Sequence, residues 1–170
     1  MVVCSPRSFD LVKSLGAAEV FDYNSPSCGS AVQEFTNNSL GYALDCISNT
    51  ESMKICYSAI GKSGGKYVAL DPFPIRSHTR RSVKPDWIIA FTIFNEPIRW
   101  QKPYQREAKP KDRAFAQQWY KIAQSLLDEG AIKAHPHELR DGGLEAAIEG
   151  IDMVRTGKVA GKKLVYSVGT

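Results

Sequence analysis

The chain has 170 residues, of which 43% are hydrophobic and 10% aromatic, and it carries a formal net charge of +4. This length and composition predict one ordinary core, and no apolar run approaches the roughly 20 residues that a membrane span needs. The excess of 22 basic over 18 acidic residues is too small to indicate a nucleic-acid partner. The first residues lack the pattern of a secretory signal. We therefore expect a cytoplasmic protein that binds neither membranes nor nucleic acid.

The first half of the chain alternates short apolar bursts with helical repeats, which is typical of an α/β fold. Strands are predicted at residues 1–4, 19–23, 42–47 and 66–70. Helices are predicted between them, at residues 9–15, 31–35 and 49–60. We expect the strand at 42–47 to be buried on both faces. The third helix should direct apolar residues inward, namely Met53, Cys56, Tyr57 and Ile60.

The second half begins with a loop rich in proline and arginine, followed by an apolar segment at 87–94 and a charged connection at 99–113. The clearest helix comes next, because its apolar residues recur with helical spacing at Phe115, Trp119, Ile122 and Leu126. A second amphipathic helix is predicted at 144–154 and a closing strand at 164–168. We predict a single domain, 1–170, with no internal repeat.

No group of residues has the spacing of a metal site. The cysteines, Cys4, Cys28, Cys46 and Cys56, are too far apart to form ligand pairs, and we interpret them as reduced core thiols. His135 and His137 flank a proline and have no acidic or cysteine ligand at a zinc-like spacing. We interpret them as loop histidines in solvent and expect no metal.

A run of basic residues follows the fourth strand, at Arg76, His78, Arg80, Arg81 and Lys84. It lacks the helical frame and interleaved aromatic residues of a nucleic-acid site, which favours a solvated loop. An anionic ligand at this run stays open as an alternative.

The segment Ser5-Pro6-Arg7-Ser8 carries the clearest chemical signal, because it directly follows a strand and precedes a helix. In a doubly wound sheet, the loop after the second strand reaches the adenosine ribose of a dinucleotide. Two hydroxyls and a guanidinium suit a 2′-phosphate, so the loop predicts NADPH rather than NADH. Tyr23, at the end of the next strand, could add a hydrogen bond or cover the adenine. The alternative interpretation is a helix start at which Ser5 or Ser8 is the cap and Arg7 lies in solvent.

The chain as a whole resembles the medium-chain dehydrogenase/reductase superfamily. The likeness is strongest to the zinc-independent, NADPH-dependent enoyl reductases that act in trans with fungal polyketide synthases, as in the lovastatin pathway. It is carried by residues 4–17, 20–23, 44–47, 64–70 and 161–166. The resemblance implies a Rossmann-like, doubly wound parallel sheet with C-terminal helices and a closing strand. It also implies hydride transfer from NADPH to an α,β-unsaturated polyketide thioester that is free or bound to an acyl carrier.

The resemblance assigns roles to further residues. Besides Ser5, Pro6, Arg7, Ser8 and Tyr23, the cofactor would contact Leu70 and Asp71 at its nicotinamide half, and Val159 and Ala160. The pocket for the acyl substrate would be lined by Phe91, Thr92, Ile93, Phe94 and Asn95. Relatives often have glycine where this chain has Asn95, whose side chain would narrow or reshape the pocket. No catalytic residue is assigned.

A full member of the family also has a GroES-like domain and a first cofactor-binding strand with a glycine-rich turn, and we expect these to be absent here. Residues 1–100 would then form a truncated cofactor-binding part, and residues 101–170 a C-terminal region of helices and one strand. Without that first strand, two neighbouring strands would have unpaired edges, which could pair in a homodimer.

Three functions follow from this expectation. The first is the family's enoyl reduction. The second is a cofactor-free isomerisation or cyclisation of a polyketide intermediate, in a pocket lined by Trp87, Phe91, Phe94 and Trp119. Its acid or base would be one of Asp71, His78, Glu96 and Tyr104. The third is a non-catalytic binding or assembly module.

Overall fold

A computed structural model of the chain describes residues 1–168, which form parallel sheets with helices between consecutive strands. Two compact units are present, Met1–Lys121 and Ile122–Thr170. This arrangement confirms the predicted α/β class. Among residues 1–168, no helix is both long enough and apolar enough to cross a bilayer.

The first unit contains two parallel sheets. In one, β1 (Val2–Cys4) pairs with β2 (Val20–Asp22), and Val3 lies opposite Phe21. The other has the order β3-β4-β5, formed by β3 (Tyr42–Asp45), β4 (Gly65–Ala69) and β5 (Val83–Trp87). Because the strands of each sheet are parallel, the loops that follow them lie along one edge of that sheet.

Helices connect these strands at the predicted places. They are α1 (Phe9–Ser14), α2 (Cys28–Phe35), α3 (Thr50–Ala59) and α4 (Pro110–Asp128). Asn49 caps α3 because its side chain accepts the Ser52 N–H, while the Ser52 hydroxyl accepts the Asn49 N–H. Gly16 ends the α1 segment with a φ of 98°, the left-handed conformation that favours glycine.

The core of the first unit lies between α3 and the three-stranded sheet. Met53, Tyr57 and Ile60 pack against residues of β4 and β5, and the buried cluster consists of Met53, Tyr57, Ile60, Tyr67, Ala69 and Val83. The helical spacing thus predicted correctly that Met53, Tyr57 and Ile60 face inward, and Cys56, although only partly buried, packs against the same cluster.

The expectation that the strand at 42–47 is buried on both faces is wrong. The strand ends at Asp45, and the side chains of Tyr42 and Leu44 are 73% and 63% exposed. The reason is that successive side chains alternate between the two faces: Ala43 packs against the core cluster beside α3, whereas Tyr42 and Leu44 lie on the opposite face, which is left largely uncovered within residues 1–168. Within those residues β3 pairs only with β4, so it is also an edge strand. Cys46 directly follows β3 and is also exposed, so it is not the core thiol that its apolar neighbours predicted.

The second unit contains a strand, a helix and a parallel strand: β6 (His137–Arg140), α5 (Gly143–Arg155) and β7 (Lys163–Tyr166). The sequence did not predict β6, and His137 opens this strand rather than lying in a loop. Helix α5 packs on β7 through Gly150, where an added Cβ would lie 2.2 Å from the Tyr166 hydroxyl. The apolar residues that the sequence placed on one face of α5 are exposed, namely Leu144, Ile148, Ile151 and Val154.

Candidate cofactor and acyl site

The loop after β1 contains the residues predicted to bind the 2′-phosphate of the adenosine ribose. Ser5 and Ser8 bracket a short 3-10 turn, Pro6–Ser8, and their hydroxyl oxygens are 3.5 Å apart. Ser5 and Ser8 occupy the N-cap positions of this turn and of α1, as the alternative interpretation expected, but neither hydroxyl makes a capping hydrogen bond. Arg7 is exposed and makes no salt bridge within residues 1–168. The loop therefore offers an uncompensated guanidinium beside two hydroxyls.

Tyr23 extends this surface. It directly follows β2, whose carboxyl end lies beside that of β1 because Cys4 pairs with Asp22. Its side chain is 50% exposed, and the turn beneath it is held by Asp22, whose carboxylate accepts the backbone and side-chain N–H groups of Asn24. The structure thus places Tyr23 and the 5–8 loop at the same edge of the two-stranded sheet.

A buried carboxylate organises the corresponding edge of the three-stranded sheet. Asp45, which is 3% exposed, ends β3 and accepts four hydrogen bonds. The N–H groups of Ile47 and Ser48 donate to one oxygen, each at 2.9 Å, and the hydroxyls of Ser52 and Tyr67 donate to the other, each at 2.8 Å. These donors compensate the desolvated charge and fix the turn after the strand.

That turn leads to the residues predicted at the nicotinamide half. Ser48 has a left-handed φ of 63°, and its hydroxyl accepts the N–H of Asp71 at 3.2 Å. Leu70 donates its N–H to the Asp45 carbonyl at 3.1 Å, and its side chain is 46% exposed. Leu70 and Asp71 therefore follow β4 in a fixed position, and Ser48 is a neighbour that the sequence pattern did not single out.

The predicted acyl-lining segment forms a 3-10 helix, Ala90–Phe94, shortly after β5. Phe91 and Phe94 are 49% and 57% exposed, and their rings stack at 6.5 Å. Thr92 is buried and donates its hydroxyl to the Ile89 carbonyl, so its side chain supports the turn. Ile93 is half-buried.

Asn95 ends this helix with φ 58° and ψ 34°, the left-handed region that asparagine and glycine tolerate best. Its side-chain oxygen is buried and has no hydrogen-bond partner within residues 1–168. A buried acceptor without a donor is rare in folded proteins. The Asn95 side chain therefore fills space beneath the acyl segment rather than facing the exposed rings of Phe91 and Phe94.

A short hairpin adds Trp100, which the sequence analysis did not assign to a site, and Tyr104, which it named only as an acid or base candidate. Ile98 and Arg106 pair in an antiparallel bridge, and the loop between them carries Trp100 and Tyr104. Trp100 packs on Phe91 with ring centroids 5.2 Å apart, and Tyr104 packs on Trp87 at 5.8 Å. The Arg106 guanidinium lies 3.9 Å from the centre of the Trp87 ring. The two aromatic residues within the charged connection at 99–113 were the only sequence signal for this hairpin.

Of the four acid/base candidates, the structure brings two together. Hydrogen bonding to Asp71, followed by burial and the Asp71 charge, raises the pKa of Tyr104 above its ordinary value. His78 instead lies beside Tyr57, with its Nδ1 atom 2.8 Å from the Tyr57 hydroxyl. Glu96 is exposed and makes no hydrogen bond within residues 1–168. Trp119, on α4, is 47% exposed.

The remaining predicted cofactor residues, Val159 and Ala160, belong to the second unit, where they lie between α5 and β7. Val159 is half-buried and Ala160 is exposed. Their assignment to the cofactor stays a prediction. In the part of the chain that the structure describes, no three His, Cys, Asp or Glu side chains are grouped so that they could hold a metal ion.

Comparison with known proteins identifies relatives along the whole chain. The chain is 50% identical over 170 residues to trans-enoyl reductase apdC of Emericella nidulans, covering all of this chain and 51% of that protein. It is 53% identical over 168 residues to trans-enoyl reductase iliB of Hypocrea jecorina, covering 99% and 48% of the two chains. The chain is a homologue of the trans-enoyl reductases. It spans about half the length of the curated relatives that it matches.

Solved structures share the fold of this trans-enoyl reductase homologue. The CurF ER cyclopropanase of the curacin A biosynthetic pathway superposes with a TM-score of 0.67 at 17% identity, over 97% of this chain and 46% of that one. An NAD-dependent alcohol dehydrogenase superposes with a TM-score of 0.66 at 19% identity, over 98% and 43%. These matches confirm the predicted Rossmann-like fold. No protein-family model matches the chain.

Proposed function

We propose that this chain supplies the NADPH-selecting loop and part of the acyl surface of an enoyl reductase that acts on α,β-unsaturated polyketide thioesters together with a polyketide synthase. The proposal rests mainly on the loop after β1. There Arg7 lies next to Ser5 and Ser8, whose hydroxyls are close together, and Arg7 has no ion-pair partner within residues 1–168. This donor set fits a phosphate monoester. The identity of 50% to 53% with proteins named trans-enoyl reductases supports the same activity.

Each end of the cofactor would have its own residues. Ser5, Arg7 and Ser8 would hold the 2′-phosphate through charge-assisted hydrogen bonds, and Tyr23 would cover the adenine. Leu70 and Asp71 would border the nicotinamide, in the position that the Asp45 and Ser48 contacts fix. When bound, NADPH supplies a hydride for the β-carbon of the enoyl thioester.

Tyr104 is our candidate for the general acid that donates a proton to the α-carbon of the substrate. A tyrosine hydroxyl is protonated at neutral pH, and Asp71 raises the pKa of Tyr104 further, so this hydroxyl carries the proton to be donated. Phe91 and Trp100 would exclude water from the acyl chain, since they form an exposed aromatic pair beside the same sheet edge.

The test measures NADPH oxidation by the whole chain with a short α,β-unsaturated acyl thioester. Tyr104→Phe should lower kcat by about 100-fold or more, the usual contribution of a positioned general acid, with little change in NADPH affinity. Tyr120→Phe is the matched control, because Tyr120 is an exposed α4 residue, 61% accessible. Full activity of Tyr104→Phe would contradict its role. Isomerised thioester without NADPH oxidation would instead favour the cofactor-free alternative.

We also propose that the chain forms a homodimer through its open strand edges. Within residues 1–168, β1 pairs only with β2 and β3 only with β4, and Leu44 on β3 is largely exposed. An open strand edge exposes backbone donors and acceptors that another strand can pair. Sedimentation should show a dimer, and Leu44→Lys should shift it toward monomer. A wild-type monomer at high protein concentration would contradict this proposal.

A further inference from the structure

A second concave surface of the first unit lies between α2, α3 and the loop after β4. We call it the α2–α3 cavity. Its volume is about 520 Å³, and its charged and hydroxyl-bearing lining includes Lys54, Arg76, Arg80, Ser30, Ser58 and Thr79. None of its residues belongs to the cofactor loop, the nicotinamide position or the acyl segment. The volume is within the usual range of small-molecule pockets, roughly 300 to 1,000 Å³.

The cavity is positively charged, and its lining contains no aspartate or glutamate. Lys54 pairs with Glu51 at 2.8 Å in an exposed contact, which water and salt weaken strongly. Arg76 is exposed and makes no salt bridge within residues 1–168. Three cationic side chains therefore share one concave surface, and within residues 1–168 Lys54 is the only one of the three with an ion-pair partner.

Arg80 is held in place by backbone carbonyls rather than by an acid. Its Nη1 atom donates to the carbonyls of Tyr57 and Ile60 at 2.6 and 2.7 Å, and its Nη2 atom donates to that of Gly61 at 2.6 Å. These contacts satisfy the C-terminal carbonyls of α3 and fix the guanidinium at the wall of the cavity. The carbonyls carry only partial negative charge, so they weaken the positive potential of Arg80 without neutralising its formal charge.

We propose that the α2–α3 cavity binds a small phosphorylated metabolite. Guanidinium groups match the oxygens of a phosphate bidentately, and Arg76 and Lys54 are available at the rim to contact it. The hydroxyls of Ser30, Ser58 and Thr79 can donate to further phosphate oxygens or to the metabolite's own hydroxyls. The basic run after β4, which the sequence associated with solvent or an anion, then has a ligand. The proposal is independent of the reductase activity.

Inorganic pyrophosphate is the probe. It is titrated into the whole chain and binding is followed by calorimetry, with chloride salt keeping the ionic strength constant. We expect saturable binding that Arg76→Ala weakens at least tenfold. Arg81→Ala is the matched control, because it removes an exposed neighbouring arginine that does not line the cavity. Both variants change exposed side chains, and circular dichroism verifies that they fold.

Each result decides the proposal. Saturable pyrophosphate binding that Arg76→Ala weakens and Arg81→Ala leaves unchanged supports it. Absence of saturable binding, or equal losses in the two variants, overturns it. Citrate, a tricarboxylate, is the second probe, and binding as tight as that of pyrophosphate would overturn the phosphate assignment.

Discussion

The hydroxyl of Tyr67 should contribute measurably to stability, because it donates to the buried Asp45 carboxylate that fixes the turn beside the candidate nicotinamide position. Tyr67→Phe removes only this hydroxyl and leaves the ring packed against Tyr57 and Phe73. Asp45 then keeps three of its four hydrogen bonds. Hydrogen bonds to charged groups contribute about 1.5 to 3 kcal/mol, so we expect a loss of that size in the free energy of unfolding.

Urea unfolding followed by circular dichroism measures this loss. For an m-value of about 1 to 3 kcal/mol/M, the midpoint should fall by roughly 1 M. Tyr57→Phe is the matched control, since Tyr57 is equally buried but its hydroxyl bonds to the His78 ring, for which we expect a loss of only about 0.5 to 1.5 kcal/mol. A Tyr67→Phe loss no larger than that of Tyr57→Phe would refute the reasoning.

Two further predictions concern titration. Burial, followed by hydrogen bonding to Asp45 and its charge, raises the pKa of Tyr67 above its ordinary value near 10, so the folded state holds this proton more tightly than the unfolded state does. This proton therefore contributes to the free energy of unfolding fully below about pH 10, and the contribution is lost as the pH rises further. In urea unfolding at a series of alkaline pH values, Tyr67→Phe should lose less stability with rising pH than wild type does. Among the cysteines, exposed Cys46 should react with a thiol reagent first and Cys28 and Cys56 last, because Cys28 is buried and desolvation raises the pKa of Cys56 to about 12. Mass spectrometry of timed samples measures the order, and early modification of Cys56 in folded protein would contradict it.

The sequence predicted the elements of the first unit well where the apolar periodicity is clear. The apolar helical repeat within residues 49–60 predicted both the presence of α3 and the inward direction of Met53 and Tyr57, because the same spacing determines both. It failed for Leu44, which lies on the face of β3 opposite to the core cluster and is largely exposed. Whether a second layer covers that face depends on the rest of the fold and not on the strand's own residues.

The candidate site was predictable in part for a similar reason. A short polar segment directly after a strand indicated the 5–8 loop, because strand ends collect at one edge of a parallel sheet. The pairing of Tyr104 with Asp71 was not predictable, since the two residues are far apart in the chain and meet only when the hairpin between Ile98 and Arg106 forms. The buried, unpartnered oxygen of Asn95 likewise depends on the packing around its turn.

The central claim, that the loop after β1 selects NADPH, is tested most directly by calorimetric titration of wild type, Arg7→Ala and Lys13→Ala with NADPH and NADH. Lys13→Ala is the charge-matched control, because Lys13 is an exposed α1 cation that pairs with Glu19. We predict that wild type binds NADPH more tightly than NADH. Arg7→Ala should weaken NADPH by about 1 to 3 kcal/mol, roughly 5-fold to 150-fold, and leave NADH unchanged. Equal losses for the two cofactors, or no binding at millimolar NADPH, would contradict the account.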